Sequence, residues 1–297
     1  MKMKMITAVV GTLLVANVYA AETYNVQAGV QYLKGSVDDG TDTTATAIGG
    51  TYYFKDIVID GTQPFMELDV LQKASNVSIQ YINLSMETSV LSKTTVNPVQ
   101  LGGTLYVDNF ILGVNNTTWD KAFSLKSNAT LNYGIKSTST GFSAGYWVTP
   151  TTAVAFKHTK DDATYTRSST SLTAIKDLTS TTNGIASHTV TSLGGTQSLV
   201  LDFYYDQIKR EQTASETNKE YGAKVRYYPE AKYFVEGGYI VNTGDNAGNK
   251  GKTYAFGAGY AFTPRFAVLL STAKFSGDVS SEKSSSTDTI LTAGYRF

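Results

Sequence analysis

The chain is predicted to be all-β: a transmembrane antiparallel up-and-down barrel of about 14 strands, with about 16 as the alternative count, following a cleaved N-terminal segment. Three observations predict it. Segments of roughly ten residues alternate apolar and polar side chains with period two. Tight turns and longer Gly/Ser/Thr/Asp-rich connections take turns between those segments. Past the N-terminus, no window approaches the roughly 20 consecutive apolar residues that a membrane helix needs.

Composition narrows the classes further. The 297 residues include 20 Tyr, 13 Phe and 26 Gly but only 5 Pro, and 17% are charged. An ordinary soluble domain carries about 25% charged residues, so part of the surface is free to face lipid. Cysteine is absent, which excludes disulfides, thiol chemistry and thiolate metal sites. The net charge is zero, and no basic patch invites nucleic acid.

Residues 1–20 begin with Lys2 and Lys4, pass through the short apolar run Ile6 to Ala16, and end in Val18-Tyr19-Ala20. This is the layout of a secretory signal peptide, with cleavage expected after Ala20 and a single barrel domain at 21–297. Tyr24, Val26, Ala28, Val30 and Tyr32 then share one strand face, and Ile48, Gly50, Tyr52 and Phe54 share the next, across a turn-rich stretch from Gly35 to Thr43. Strand signals return at Val99 to Val107 and Phe110 to Asn116, flanking an Asp108-Asn109 turn, after a loop expected over Glu87 to Pro98. The polar stretch Thr117 to Thr138 is expected to be a loop, as is the Ser/Thr-rich region Asp161 to Gly184. Clear alternation resumes in Gln197 to Lys209, Glu220 to Tyr228, Tyr233 to Val241, Thr253 to Phe262, Phe266 to Phe275 and Asp288 to Phe297. Dividing Phe65 to Leu84, or placing a hairpin within Phe123 to Lys136, gives the higher strand count.

A soluble β-sandwich would alternate too, but its sheets meet in a core usually built from branched aliphatics. Here the apolar faces are rich in tyrosine near the turns and carry Ala223, Gly237 and Ala258 at mid-strand. A lipid-facing band between aromatic girdles accounts for that distribution. In hydrocarbon, unpaired backbone groups are so costly that a spanning sheet has to close on itself. If the apolar faces look outward, the interior receives Glu67, Asp69, Lys157, Asp202, Asp206, Glu220, Lys224, Arg226, Glu236 and Asp288. These would line a wet lumen in which acids outnumber bases, favouring cations weakly.

Nothing in the sequence spells a catalytic centre or a cofactor site. His158 and His188 are the only histidines and belong to no metal-binding spacing. Gly257-Ala258-Gly259-Tyr260-Ala261 lies inside a strand rather than opening a helix, so it is not a dinucleotide loop. No G-x-S-x-G elbow occurs. An enzyme is therefore not expected.

Gly50-Thr51-Tyr52-Tyr53-Phe54, Pro64-Phe65-Met66-Glu67 and Lys73-Ala74-Ser75-Asn76-Val77, together with the closing Gly294-Tyr295-Arg296-Phe297, resemble the pattern of the general porins of Gram-negative bacteria. The resemblance implies an outer-membrane barrel with a passive diffusion pore for small hydrophilic solutes and ions, set among outer-membrane lipid and lipopolysaccharide. By family analogy it also implies a homotrimer. Tyr295 and Phe297 look like the C-terminal signal that such barrels present to the barrel-assembly machinery. Trp119, Asp120, Lys121 and Phe123, within the expected loop at Thr117 to Thr138, have the bulk and charge to fold inward and narrow the pore. Two other readings stand beside the porin: an adhesin or structural barrel with a plugged lumen, and a barrel enzyme such as a phospholipase or protease.

Overall fold

The computed structural model of the chain describes residues 22–297 apart from 39, 60, 62, 88–93, 126–127, 169–172, 212–214, 245–248, 264 and 280–281. The expected signal peptide lies outside the described residues. Fifteen strands form one antiparallel sheet: β1 (Glu22–Val37), β2 (Thr41–Ile59), β3 (Asn76–Glu87), β4 (Thr94–Val96), β5 (Val99–Val107), β6 (Phe110–Leu125), β7 (Asn128–Thr149), β8 (Thr152–Ser168), β9 (Thr173–Gly194), β10 (Gln197–Glu211), β11 (Ser215–Glu230), β12 (Tyr233–Gly244), β13 (Asn249–Thr263), β14 (Phe266–Val279) and β15 (Glu282–Arg296). β1 pairs with both β2 and β15, so the sheet closes. Both β4 and β5 pair with β3, one beyond the other. Proline has no N–H to give a ladder, and the break between them falls at Asn97-Pro98. The Pro98 carbonyl still accepts from Ile82 N at 2.9 Å, so β4 and β5 make one wall strand and the barrel has 14.

Turn chemistry follows local sequence. Gly194 (φ 107°) and Gly195 (φ 58°) supply the positive φ that a tight hairpin needs, and Asp108 (φ 54°) does the same between β5 and β6. These tight turns lie at the end of the barrel that also holds both ends of the barrel sequence. In outer-membrane barrels that end faces the periplasm.

Side-chain parity divides the wall into two chemistries. Phe203, Tyr205, Tyr221, Val235, Phe256, Leu270 and Leu291 are exposed on the outside. Ring pairs crowd the rim at the tight-turn end: Tyr52–Phe54, Phe110–Tyr146, Tyr260–Phe262, Phe262–Phe266 and Tyr295–Phe297, with centroids 4.9–5.8 Å apart. A second aromatic row, including Tyr32, Tyr81, Tyr205, Tyr221, Tyr239 and Tyr254, faces outward nearer the other end. On β13, Tyr254 and Phe262 are about 27 Å apart at roughly 3.4 Å per residue, or about 20 Å along the axis after a tilt near 40°. That separation matches the apolar band of a bilayer.

Several expectations are corrected. Trp119, Asp120, Lys121 and Phe123 lie in β6, paired with Ser137, Lys136, Ile135 and Tyr133 of β7, so the proposed constriction loop is instead part of a long hairpin. The Ser/Thr-rich Asp161–Gly184 region likewise forms the upper parts of β8 and β9. Thr is a good strand former, and rows of Ser and Thr satisfy each other across a ladder in water, where an apolar face is not required. Strands of 22 residues, as in β7 and β9, are about twice the length needed to cross a bilayer and so extend beyond it. Tyr24 departs from the outward parity of Val30 and Tyr32 because a bulge between Tyr24 and Val26 turns it inward.

Parity makes an experimental claim. Ala258→Arg, outward and midway between the girdles, should cost about 2–4 kcal/mol in reversible folding into vesicles. Gln80→Lys, on the inward face of β3, should cost less than half of that.

Candidate functional site

The segment joining β2 to β3 adds no wall strand but folds into the bore at its tight-turn end. Its Pro64 fixes φ at −56° and leads into a helical turn, Phe65–Glu67, continued by the short helix α1 (Leu68–Leu71). Lys73, at φ 49°, ends it in the left-handed conformation typical of a helix C-cap. Gln72 then binds the end of β2 in both directions: Val58 N donates to its Oε1 at 2.9 Å, and its Nε2 donates to Val58 O at 2.6 Å.

The apolar side chains of this plug reach both walls. Phe65 (1% exposed) and Leu68 (0%) pack with Tyr24, Tyr53, Ile57 and Ile59 on one side and Ala231, Ala261 and Ala267 on the other. Met66 enters a second cluster with Val190, Val200, Tyr228 and Phe234. Each such side chain contributes about 1.5–3 kcal/mol when fully buried.

Polar contacts fix the plug's position. Glu67, almost fully buried, accepts from Arg226 Nη1 and from the Tyr228 hydroxyl at 3.1 Å, while its Oε2 is 3.4 Å from His188 Nε2. Arg226 Nε donates to Glu236 at 3.0 Å, Lys224 is 3.5 Å from the same carboxylate oxygen, and His188 Nδ1 is 2.7 Å from Asp202. Arg296 is fully buried; its Nη2 donates to the Phe65 carbonyl at 3.1 Å and its guanidinium lies 4.2 Å from the Tyr24 ring centre. Such buried charges are tolerable only when paired; a plug that moved away would leave Arg226 with Glu236 alone and take the Phe65 carbonyl from Arg296.

Asp69 belongs to the connecting segment, outside the spanning strands. The Tyr53 hydroxyl donates to its Oδ2 at 3.4 Å, while its buried Oδ1 has no hydrogen-bond partner. Burial pushes its carboxyl up to about 6, with Arg296 pulling downward and Glu67 adding to the rise.

Of the residues read as lumen-lining, Lys157, Asp202, Asp206, Glu220, Lys224, Arg226, Glu236 and Asp288 stand on inward faces of wall strands. Glu67 and Asp69 are inside too, but on the plug rather than the wall, because Pro64 starts a helical turn where a strand would otherwise continue. Above the Glu67 network, Lys157 pairs with Asp206 at 2.7 Å, and Tyr204 donates to Glu220 at 3.0 Å. These charges gather on β8, β10, β11 and β12. Much of the facing wall is neutral, with Gln27, Gln31, Thr292, Ser78 and Gln80 on its inward faces.

Arg296, His188, Tyr228 and Tyr53 complete the site without having been assigned to it from the sequence. Inward parity was the available signal for Arg296 and His188. His158 is different: it faces outward and binds Asn183 at 2.8 Å. Among the described residues, no group of three or more His, Asp or Glu is arranged to hold a metal ion.

A closed 14-stranded antiparallel barrel, greasy outside and charged within, defines the fold class of this chain. It is similar in structure to the outer membrane protein Omp33 of Acinetobacter baumannii, at a TM-score of 0.54 and 17% identity, with 93% of this chain and 99% of that one covered. It is also similar to CymD, a monoaromatic hydrocarbon channel, at a TM-score of 0.58 and 10% identity, with 93% and 89% covered. A FadL homologue of Pseudomonas aeruginosa gives 0.52 and 9%, with 93% and 91% covered. At these identities the likeness concerns the fold alone. No protein-family model matches the sequence, and neither does any curated protein, so the general-porin resemblance stays at the level of short motifs.

Arg226→Met should leave Glu67 buried without its cation and weaken plug seating by about 3–5 kcal/mol. Faster hydrogen exchange at the amides of Gln72, Lys73 and Ala74, with the wall strands unchanged, would report it.

Proposed function

We propose that the chain is an outer-membrane channel whose seated plug is its closed state, and that it passes small hydrophilic solutes and ions passively when the plug withdraws. The observation that carries this reading is the junction of Glu67 with Arg226, Tyr228 and His188: a helical segment held against a charged inner wall by polar contacts that water can replace. A purely structural core at this place would be expected to be apolar throughout, because an ion pair in a dry site gains little stability over well-packed hydrocarbon.

The same reading includes a weak cation preference. Asp202, Asp206 and Glu236 are internally paired with His188, Lys157 and Arg226, whereas Glu220 bonds a neutral tyrosine and Asp288 has no cationic partner among the described residues. Those last two carboxylates are the ones that leave net negative charge facing the lumen. Glu220→Gln with Asp288→Asn should shift the reversal potential in a salt gradient toward zero.

A second reading draws on the plug and on the long upper strands of β7 and β9: a permanently closed barrel that presents its outer hairpins for adhesion. Planar-bilayer recording separates the two. The refolded wild type should show rare or small openings, and replacing residues 64–71 by a Gly/Ser linker of equal length should give steady conductance. A silent variant that is correctly folded would favour the adhesive barrel.

Proton linkage sets the expected pH response. Asp69 is raised from an ordinary carboxyl value near 3.8 to about 6 in the seated plug, so seating favours its protonated form. The stabilisation is greatest below the exposed value and fades as pH rises through the seated one. Openings should therefore be more frequent at about pH 7.5 than at about pH 5, by about tenfold, and Asp69→Asn should flatten the dependence.

A further inference from the structure

Across the bore from the charged strands, the inner wall above the plug is aliphatic. Ile290 of β15 pairs with Leu33 of β1, Leu33 with Ala45 of β2, Ala45 with Leu84 of β3, and Leu84 with Val96 of β4. Directly paired residues share a face, and the sequence neighbours Tyr32 and Leu291 are exposed on the outer wall, so the row points inward. Ile82 joins it from the same face of β3. Leu33, Ile82, Leu84 and Ile290 are only half-buried. Halfway round the wall from β1 in either direction stands β9, and the inward positions of β8 to β11 carry Lys157, Thr159, Thr182, Tyr204, Asp206 and Glu220. The bore therefore has an oily side and a charged side. Aliphatic groups facing enclosed water forfeit the gain of burial, and a passage for purely hydrophilic solutes has no use for them.

A carboxylate stands at the edge of the aliphatic row. Asp288 lies two positions from Ile290 on the same face of β15 and pairs with Gly35 of β1. A side chain at position 35 would run into Oδ1 of Asp288, so the carboxylate reaches over β1 just beyond Leu33. Asp288 is partly exposed and has no cationic partner among the described residues. The inward lysines above the plug are differently placed: Lys157 is 2.7 Å from Asp206, and Lys224 is 3.5 Å from Glu236. Hydrocarbon surface and uncompensated negative charge thus meet at one place on the inner wall.

We propose that this inner face binds and selects amphipathic ammonium solutes, with the hydrocarbon part laid along Leu33, Ile82, Leu84 and Ile290 and the cation at Asp288. The proposal rests on the channel reading above and goes beyond it by naming the solute class and the residues that recognise it. Charge complementarity sets the sign. An anionic amphiphile would meet the same aliphatic row but be repelled by Asp288, and the lysines that would attract it are already paired. A cation without a hydrocarbon part would gain the contact with Asp288 alone. Because the row is only half-buried, a bound solute keeps one side in water and can leave again, as a conducting path requires.

The test uses the full refolded chain in a planar bilayer and measures block of its open-state potassium current by hexyltrimethylammonium, tetramethylammonium and hexanoate. The fixed charge of the first two keeps pH from altering the probe. Hexyltrimethylammonium should block at a concentration about tenfold lower than tetramethylammonium, and hexanoate should block least. Leu33→Thr with Ile290→Thr should erase the advantage of the hexyl chain and leave block by tetramethylammonium unchanged. Asp288→Asn should weaken block by both cations about fivefold and preserve their ratio. Saturation-transfer NMR on the same refolded proteins reads contact with the hexyl chain independently of current, and heat-dependent gel mobility confirms that each variant is folded. The proposal is overturned if the two cations block and bind alike in wild type, if the Leu33 and Ile290 double variant keeps the tenfold ratio, or if hexanoate matches hexyltrimethylammonium. Currents without chain-length preference would sink this proposal alone. A folded chain that never conducts would sink the channel reading, while hexyl contact seen by NMR in wild type and lost in the double variant would still uphold the binding face.

Discussion

Every part of this protein depends on one constraint: inside hydrocarbon, each backbone N–H and C=O has to find its partner within the chain. A sheet with free edges cannot meet that demand, and the pairing of β1 with β15 removes the edges. Closure then gives parity its meaning. Once there is an inside and an outside, alternate side chains along every strand face either acyl chains or enclosed space. Tyr205 and Asp206 are neighbours in sequence, yet one is exposed on the outer wall and the other bonds Lys157 within the bore.

The enclosed space poses a second problem, because a bore this wide is not filled by its own wall residues. At the tight-turn end it is filled by the connection between β2 and β3. That connection uses two different interactions for two different purposes. Phe65, Met66 and Leu68 supply apolar burial, which is strong but tolerant of small shifts. Glu67, Arg226, His188 and Arg296 supply directional contacts, which add little net stability but select one orientation. The same division recurs outside, where two rows of rings bound the apolar band and exposed charges such as Lys34, Lys136 and Lys252 stand beyond the upper row.

Local sequence was a good guide wherever the environment of a strand was uniform. Alternation along Gln197 to Lys209 or Glu220 to Tyr228 has one apolar face, so period two was visible and the inward positions of Asp202, Asp206 and Lys224 could be read directly. It was a poor guide where the environment changed. Beyond the membrane, β6 to β9 meet water on the outside and need no apolar face, so Trp119 to Phe123 and the Ser/Thr run after Asp161 looked like loops although they pair residue for residue. A register shift between Tyr24 and Val26, where β1 advances two residues and β2 five, reversed parity, which no pattern of hydrophobicity announces.

What the sequence determined by itself was the class of fold, a wall of about 14 or 16 strands and the inward sorting of the charges on its clearest strands, because these follow from short-range periodicity against a two-phase environment. What only the tertiary structure decided was the plug. Pro64 to Leu71 carries apolar and acidic residues that suit a strand and a short helix about equally. Its choice was made by partners more than a hundred residues away, Arg226, Tyr228 and Arg296. Burying Glu67 is tolerable only where those partners converge, and their convergence exists only after the barrel has closed.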